Sequence, residues 1–238
     1  MELLTVVAPV FGTNCYLVVA DDSTCVIVDA GAGVAPGVRR VVAERGLTPV
    51  AVLATHGHVD HTWDAAELTA EFDVPFVLHA ADAYRLTDPF GTLGQVGASH
   101  DEDGPLARAL AEIGAGPDSY RAPDRVEPFG SEPGPGGRTA DVVLELGGVH
   151  LVARHAPGHT QGSTLYLLDS EPAVALTGDV LFAGSIGRSD LPGGDDAVMA
   201  STLRDVVRNL DPQTLVLPGH GPSSRLGAEL RTNPYLRG

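Results

Sequence analysis

Short apolar runs, rich in β-branched residues, alternate along the chain with amphipathic stretches whose apolar positions recur at helical spacing. The short runs have the length and composition of β-strands, and Gly, Pro or Asp follows most of them. Strands are predicted at 3–8, 15–20, 25–30, 49–54, 75–79, 141–146, 149–154, 163–168, 173–177 and 214–218.

Helices are predicted between these strands, where apolar positions follow a 3.6-residue period. Val38, Val41 and Val42 share one face of a helix that ends at Gly46, and Asp195 is a candidate N-cap for a later helix. Strands interrupted by amphipathic helices predict sheets packed on each other, with helices outside. The predicted helices cover 36–46, 62–72, 80–86, 105–113 and 196–210, followed by a short C-terminal helix.

No boundary between two domains is visible, so residues 1–238 are predicted to form a single domain. Within it, residues 88–140 are richer in Gly, Pro and Asp than the rest of the chain, and SEPGPGGR at 131–138 is incompatible with regular structure. This segment is interpreted as an irregular insertion. It is either a binding loop or lid, or a solvent-exposed surface loop without such a role.

The chain is acidic, with a formal net charge of −16, and all 15 basic residues are arginines. It therefore lacks the basic surface that supplies most nucleic-acid affinity, and binding to anionic membranes is disfavoured. No apolar run approaches the ~20 residues of a membrane-spanning helix. Because the N-terminus has no secretory signal pattern, a cytoplasmic location is expected. A small molecule is the expected partner, and the oligomeric state is left open.

Two cysteines, Cys15 and Cys25, lie on neighbouring predicted strands, so a disulfide is conceivable. Reduced, buried thiols are expected instead, because a cytosolic location disfavours disulfides. Neither cysteine has the C-x-x-C spacing of a metal site.

Histidines and aspartates concentrate where predicted strands end in glycine-containing loops. The densest group is THGHVDH at 55–61, directly after a predicted buried strand. His56 and His58 point to the same side of an extended turn because side chains alternate, while Asp60 and His61 open the next helix. One loop can therefore supply two ligands to each of two cations.

Three further strand-end loops each contain one candidate ligand, in the sequences APGHT, TGD and PGHG. Imidazole and carboxylate are usual ligands for zinc and similar metals, and seven of them suit two cations with open positions for water and substrate. Two divalent ions are predicted, with zinc favoured and iron or manganese as alternatives. The predicted metal ligands are His56, His58, Asp60, His61, His159, Asp179 and His220.

In this order, THGHVDH, APGHT, Gly178-Asp179 and PGHG resemble the metal-binding motifs of the metallo-β-lactamase superfamily over nearly the whole chain. The resemblance implies an α+β fold of the αββα type, in which two packed mixed β-sheets are flanked by helices and the metals lie at one edge. The sequences GDVLFAGSIGRSDLPGGD and RTNPYLR are similar to the glyoxalase II-like branch, which hydrolyses S-2-hydroxyacyl thioesters. A secreted β-lactamase is disfavoured, because no export signal is seen.

The resemblance also implies how the ligands divide between two metals. Metal one is expected on three histidines, and metal two on one aspartate and two histidines. Asp179 is expected to bridge them. The first set is His56, His58 and His159, and the second is Asp60, His61 and His220.

Arg188, Asn14 and Tyr16 are the candidate substrate-binding residues. Arg188 either meets an anionic substrate group or braces its loop through Asp190, and bracing is favoured. Asn14 and Tyr16 lie beside the metal edge in similar proteins and are interpreted as mainly structural.

Three other residues are interpreted from their positions near the motifs. Asp29 ends a predicted strand and is expected to orient a ligand histidine, and His155 is expected to lie next to the ligands. Trp63 is predicted to be a core residue. The remaining histidines belong to no motif.

The ligand set favours hydrolysis of a small-molecule thioester. Two cations lower the pKa of a water between them toward neutrality, and Asp60 is the predicted catalytic residue that orients the resulting metal-bound hydroxide. A thiol with a pKa near ~8.5 leaves without an acid, whereas an amine or alkoxide benefits from one. Once the ligands are assigned, no obvious His or Glu remains to protonate such a leaving group.

Alternatives stay open at this point. Longer glyoxalase II proteins grip glutathione with a basic, tyrosine-containing C-terminal region. This chain ends soon after NPYLR and has no lysine, so the thiol carrier is uncertain and mycothiol is another candidate. Persulfide dioxygenases share the motifs but use one iron on the counterparts of His56, His159 and Asp179. A lactonase or other esterase is a further alternative, and a non-enzymatic scaffold is disfavoured because all seven ligands are kept.

Overall fold

Each half of the chain builds its own β-sheet. The computed structural model describes residues 1–93, 105–131 and 137–237. In these ranges the first half forms a sheet of six strands in sequential order, antiparallel from β1 to β3 and parallel from β3 to β6. Its strands are β1 (Glu2–Val7), β2 (Asn14–Val19), β3 (Thr24–Val28), β4 (Thr48–Leu53), β5 (Phe76–His79) and β6 (Val126–Phe129).

The second half forms a six-stranded sheet that is also sequential, and only its β10–β11 pair is parallel. Its strands are β7 (Val142–Leu146), β8 (Val149–His155), β9 (Thr164–Leu168), β10 (Val174–Gly178), β11 (Leu215–Pro218) and β12 (Ser224–Arg225).

The two sheets pack face to face, and helices cover both outer faces. Val18 and Leu53 from the first sheet share one core with Leu151, Tyr166 and Leu176 from the second. Separate apolar clusters join the first sheet to α1 and α3, and the second sheet to α5 and α6. The αββα prediction is therefore confirmed. The helices are α1 (Ala35–Arg45), α2 (Val59–Thr62), α3 (Ala65–Phe72), α4 (Pro105–Ala111), α5 (Asp196–Asp205) and α6 (Leu226–Thr232).

Several helix predictions differ from the structure in their boundaries or type. The predicted helix 105–113 ends at Ala111, and the predicted helix 196–210 is α5 followed by a 3₁₀ turn at Val207–Asn209. The predicted helix 62–72 is divided into α2 and α3. The break falls at Asp64. Its carboxylate accepts a hydrogen bond from the Ala35 amide at the start of α1 (2.7 Å). Residues Ala80–Leu86 form a 3₁₀ helix.

The segment 88–140 is less irregular than predicted. β6 lies inside it and pairs in parallel with β5, so part of the segment completes the first sheet. Leu110 and Phe90 pack with Trp63, which is buried in the core as predicted. Residues 94–104 and 132–136 of this segment lie outside the described residues.

The cysteines are free and buried, as expected. Cys25 lies opposite Val19, four residues along β2 from Cys15, so the two are separated by roughly 13 Å at strand spacing and cannot form a disulfide. None of the helices in the described ranges has the length and apolar character needed to span a bilayer.

Candidate metal centre

All seven predicted ligands meet at one edge of the sandwich, because the strands that precede them end there. The loop after β4 and the start of α2 provide four of them, and the loops after β8, β10 and β11 provide one each. Their ligand atoms form three groups in which all the atoms lie within 4.8 Å of one another. The groups are His56, His58 and His159; His56, His61 and Asp179; and Asp60, His61 and His220.

The first group consists of three buried imidazoles. The Nε2 atom of His56 lies 3.1 Å from Nδ1 of His58 and 3.2 Å from Nε2 of His159. Each ring is at most 3% exposed. Three ring nitrogens therefore converge on one small, dry volume.

The second group is more open to solvent. Nε2 of His220 lies 3.2 Å from Asp60 Oδ2 and 3.3 Å from Nε2 of His61. His61 is fully buried, but the side chains of His220 and Asp60 are 27% and 23% exposed. A substrate would therefore reach the centre from the side of His220 and Asp60.

Asp179 lies between the two groups. Its Oδ1 atom is 3.3 Å from Nε2 of His61, while Oδ2 is 3.6 Å from Nε2 of His159 and 3.7 Å from Nε2 of His220. This carboxylate faces both groups at once, which is the arrangement needed to bridge two cations.

Hydrogen bonds on the side of the ring away from the group fix the orientation of two first-group histidines, His56 and His159. Nδ1 of His159 donates to the backbone carbonyl of Arg188 (2.6 Å). Nδ1 of His56 is 3.2 Å from Thr55 Oγ1, whose own proton is given to Asp29 (2.9 Å). With Nδ1 protonated in both rings, both Nε2 atoms present lone pairs to each other.

The second group follows the same rule. Nδ1 of His61 lies 3.0 Å from Asp29 Oδ2, and Nδ1 of His220 donates to the carbonyl of Phe11 (3.2 Å). Their Nε2 lone pairs then face each other and the neighbouring carboxylates. Lone pairs and negative charge at such distances repel unless cations lie between them, so the residues present fit two divalent cations.

Burial and mutual proximity shape the charge of the centre. Burial and the neighbouring imidazoles hold the pKa of His56 well below its ordinary value, and burial together with His159 lowers the pKa of His58 to about 3. Burial alone would raise the pKa of Asp60, but His61 and other imidazoles outweigh burial and lower it. Neutral imidazoles and ionised carboxylates are the protonation states that bind metals. The shifts of His56, His58 and Asp60 favour these states, whereas burial of His61 and His220 is outweighed by neighbouring carboxylates, which raise the pKa of both imidazoles.

The structure places two of the candidate substrate residues behind the His220 loop. Asn14 Nδ2 donates to the carbonyls of Pro218 (3.0 Å) and Gly221 (2.9 Å), and the Tyr16 hydroxyl donates to Pro218 (2.8 Å). Both side chains are buried. These contacts support the structural interpretation, and contact with substrate stays a prediction.

Arg188 contributes through its backbone as well as its side chain. Its guanidinium forms a two-point ion pair with Asp190, at 2.7 Å for each bond, and both side chains are more than half exposed. This favours the bracing interpretation, while binding of substrate stays a prediction. The sequence did not indicate that the Arg188 carbonyl orients His159, because any residue carries that group.

Asp29 was predicted to orient a ligand histidine, and His155 was predicted to lie next to the ligands. Asp29 contacts His61 directly and His56 through Thr55. His155 instead donates to Gln161 O (2.7 Å) and stacks on His79, with ring centroids 4.1 Å apart. Thr55 was missed in the sequence, although its position directly before His56 was the available signal.

Comparison with known proteins agrees with the fold. The sequence model of the Metallo-beta-lactamase superfamily matches residues 8–220. An uncharacterised protein of Mycobacterium tuberculosis is 37% identical over 236 residues, 97% of this chain and 96% of that protein. Hydroxyacylglutathione hydrolase GloC of Haemophilus influenzae is 31% identical over 240 residues, 99% of this chain and 97% of GloC.

Solved structures are similar along their full length. BLEG-1 B3 metallo-beta-lactamase superimposes with a TM-score of 0.78 and 29% identity, covering 100% of both chains. The di-iron-bound form of TTHA1623 gives a TM-score of 0.72 and 31% identity, covering 98% of this chain and 100% of that one. The chain belongs to the metallo-beta-lactamase superfamily, and it is a metal-dependent hydrolase of that superfamily.

Proposed function

We propose that this hydrolase cleaves S-2-hydroxyacyl thioesters with two divalent cations. His56, His58 and His159 would hold one cation, and Asp60, His61 and His220 the other. Asp179 would bridge them, since its two oxygens face different groups. Bound cations of this kind polarise a carbonyl oxygen and lower the pKa of water.

Asp60 is the proposed catalytic residue. Its Oδ2 atom faces His220 and His61, and its side chain lies on the solvent-accessible side of the centre. The lowered pKa of Asp60 keeps the group a carboxylate, which can accept a hydrogen bond from the attacking water and orient it. The buried imidazoles of the first group exclude bulk water from the other side.

One observation carries the preference for a thioester. Within 1–93, 105–131 and 137–237, the two buried histidines outside the ligand set are His79 and His155, and both nitrogens of each are hydrogen-bonded elsewhere. Neither can deliver a proton to a leaving group. A leaving group of low pKa, such as a thiolate, is therefore favoured over an amine or alkoxide.

The similarity to GloC supports the choice of a 2-hydroxyacyl group. GloC is called a hydroxyacylglutathione hydrolase, and the similarity spans nearly all of both chains. We therefore infer a 2-hydroxyacyl thioester of a low-molecular-weight thiol as the substrate. Glutathione is the first carrier to test, and a different thiol is the alternative.

The test compares one acyl group on three leaving groups. Zinc-loaded and iron-loaded protein would be given S-D-lactoylglutathione, and the loss of thioester absorbance followed, alongside the matching oxygen ester and amide. We expect turnover of the thioester, much slower turnover of the ester and none of the amide. Protein stripped with a chelator is the matched control.

Two results would contradict the proposal. Efficient hydrolysis of lactones or of a cephalosporin, with no turnover of lactoyl thioesters on any carrier, would show a different substrate class. Oxygen consumption with a persulfide substrate would show an oxidoreductase. If only glutathione fails as carrier, the acyl thioester proposal stands and another thiol is required.

A further inference from the structure

A buried ion pair lies behind the metal centre and takes no part in it directly. Asp82 and Arg85, one 3₁₀ turn apart in Ala80–Leu86, are both 0% exposed, and Nε of Arg85 lies 3.2 Å from Oδ1 of Asp82. Neither residue belongs to a ligand group. A buried ion pair adds little net stability to a protein, so its presence here calls for another explanation.

The carboxylate of Asp82 joins the two loops that supply the three-histidine group. Its Oδ2 atom accepts from the amide of Gly57 (2.8 Å) and from the hydroxyl of Thr160 (2.6 Å). Gly57 stands between His56 and His58, and Thr160 directly follows His159. Oδ1 accepts from the Gly162 amide (2.8 Å) as well as from Arg85.

The loops approach the pair so closely that two of their positions have to be glycine. A Cβ atom on Gly57 would lie 2.9 Å from both Arg85 Cδ and the Asp82 carbonyl oxygen. A Cβ atom on Gly162 would lie 2.6 Å from Asp82 Cγ. The glycine in the His-Gly-His sequence therefore serves this contact.

Arg85 extends the connection to a third loop. Its Nη2 donates to the carbonyl of Pro192 (2.9 Å) and to the side chain of Gln161 (3.0 Å). Pro192 lies in the loop whose Arg188 carbonyl orients His159. One buried pair thus contacts each of the three loops that place or orient the first-group histidines.

We propose that Asp82 and Arg85 are positioning residues that set the spacing of His56, His58 and His159 for one cation. The second group has separate supports, namely Asp29 for His61 and the Phe11 carbonyl for His220. The proposal rests on the two-cation assignment above and is independent of the substrate. It follows that damage to the pair weakens one cation site and spares the other.

The first test variant is Asp82→Asn, which disrupts the hydrogen bonds between residue 82 and the two histidine loops. Both sides of the carboxylate accept hydrogen bonds, so an amide NH₂ placed on either side meets donors and pushes one loop away. Thr160→Val is the second variant. It removes one donor without touching the charge pair. Glu229→Gln is the control, because Glu229 is also buried and accepts from the Gly184 amide (2.8 Å) and from Asn233 (3.0 Å), but does not contact the two loops that carry His56, His58 and His159.

The measurement is zinc bound per chain against buffered free zinc, together with the melting temperature of the metal-free proteins. Wild type and Glu229→Gln should bind two zinc ions. Asp82→Asn and Thr160→Val should keep one at near wild-type affinity and bind the other roughly 10- to 100-fold more weakly. In a His220→Ala background, which weakens the second site, Asp82→Asn should remove most of the remaining zinc.

The outcomes separate this inference from the proposed function. Two zinc ions held by folded Thr160→Val with wild-type affinities would overturn it. Equal weakening of both sites in every variant would overturn it too, since that result indicates general destabilisation. If wild type itself binds at most one cation, the two-cation assignment is wrong and the inference falls with it. Absence of thioesterase activity with two zinc ions bound would leave the inference intact.

Discussion

At the scale of single residues, the centre is organised by the groups that contact the outward-facing nitrogens of His56, His61, His159 and His220. Asp29 contributes most, because its carboxylate accepts from the amide of Thr55 (2.7 Å) and from the Thr55 hydroxyl, and lies 3.0 Å from Nδ1 of His61. It therefore orients a histidine of each group. Such supporting hydrogen bonds fix the tautomer and raise the basicity of a ligand imidazole.

Asp29→Asn should lower metal affinity roughly 10- to 100-fold. An amide group cannot accept from both Thr55 and His61, so one histidine loses the partner that holds its lone pair inward. Competition with a chelator of known affinity measures the change. Asp141→Asn, which alters an exposed aspartate paired with Arg154, is the control and should bind metal as wild type does. Unchanged affinity in Asp29→Asn would contradict the orienting role.

Asp60→Asn should reduce kcat by about 10²- to 10⁴-fold, the range expected for loss of a group that handles a proton. Because Asp60 is also a proposed ligand, metal content must be measured on the same sample. The rate is to be compared at conditions where both cations remain bound. Near-normal kcat with two cations present would exclude Asp60 as the residue that orients water.

The ligands could be predicted from the sequence because they lie in short motifs at strand ends. The Asp82–Arg85 pair could not be, for two reasons. An Asp and an Arg three residues apart look like an ordinary exposed helical pair. Their partners, Gly57 and Thr160, are brought together only by the packing of the two sheets.

At the scale of elements, α5 is hydrogen-bonded to the loop that carries His159. The Asp195 carboxylate accepts from the amides of Ala197 and Val198, which confirms the predicted N-cap. The backbone amide of Asp195 donates to the Gly158 carbonyl (2.9 Å), and Thr202 donates to Pro157 (2.6 Å). The start of this helix and the turn before His159 are thus a single unit.

Asp195→Ala should lower the free energy of unfolding by about 1 kcal/mol, the usual cost of losing a side-chain cap. Urea unfolding of the metal-free protein measures it. Asp205→Ala at the other end of α5 removes an exposed carboxylate and should change stability by less than about 0.5 kcal/mol. Equal effects of the two substitutions would show that the cap contributes nothing.

Element prediction was wrong where tertiary contacts override local pattern. β6 was missed because its sequence VEPF contains a proline and a glutamate, which suit only an edge position, and β6 is the last strand of its sheet. The break between α2 and α3 depends on a bond from Asp64 to distant Ala35. Neither β6 nor the break between α2 and α3 can be recognised from a hydrophobic period in the sequence.

At the scale of the whole molecule, a pair of stacked histidines joins the two sheets. His79 ends β5 and His155 ends β8, and their rings lie 4.1 Å apart and nearly parallel. The hydroxyl of Thr139 contacts His79 Nε2 (3.1 Å), and its amide donates to His155 Nδ1 (2.9 Å). Every ring nitrogen has a partner suited to the neutral form, so protonation would disrupt the junction.

This junction should make the fold sensitive to acid. Burial and the neighbouring His155 lower the pKa of His79 to about 4, although Asp82 acts in the opposite direction. Burial likewise lowers the pKa of His155. In the unfolded chain, histidine takes up a proton near pH ~6.5, so between that pH and about 4 the unfolded state binds more protons and stability falls as pH falls. For His79 the loss reaches roughly 3 kcal/mol.

The comparison of wild type with His79→Gln isolates this contribution, because the metal-ligand histidines titrate in both proteins. Urea unfolding in the presence of a chelator, at pH 7 and at pH 4.5, gives the loss of stability for each. Glutamine keeps a hydrogen-bonding side chain but binds no proton. The variant should therefore be less stable at pH 7 and lose less stability on acidification. Equal losses in the two proteins would show that protonation of His79 does not limit acid stability.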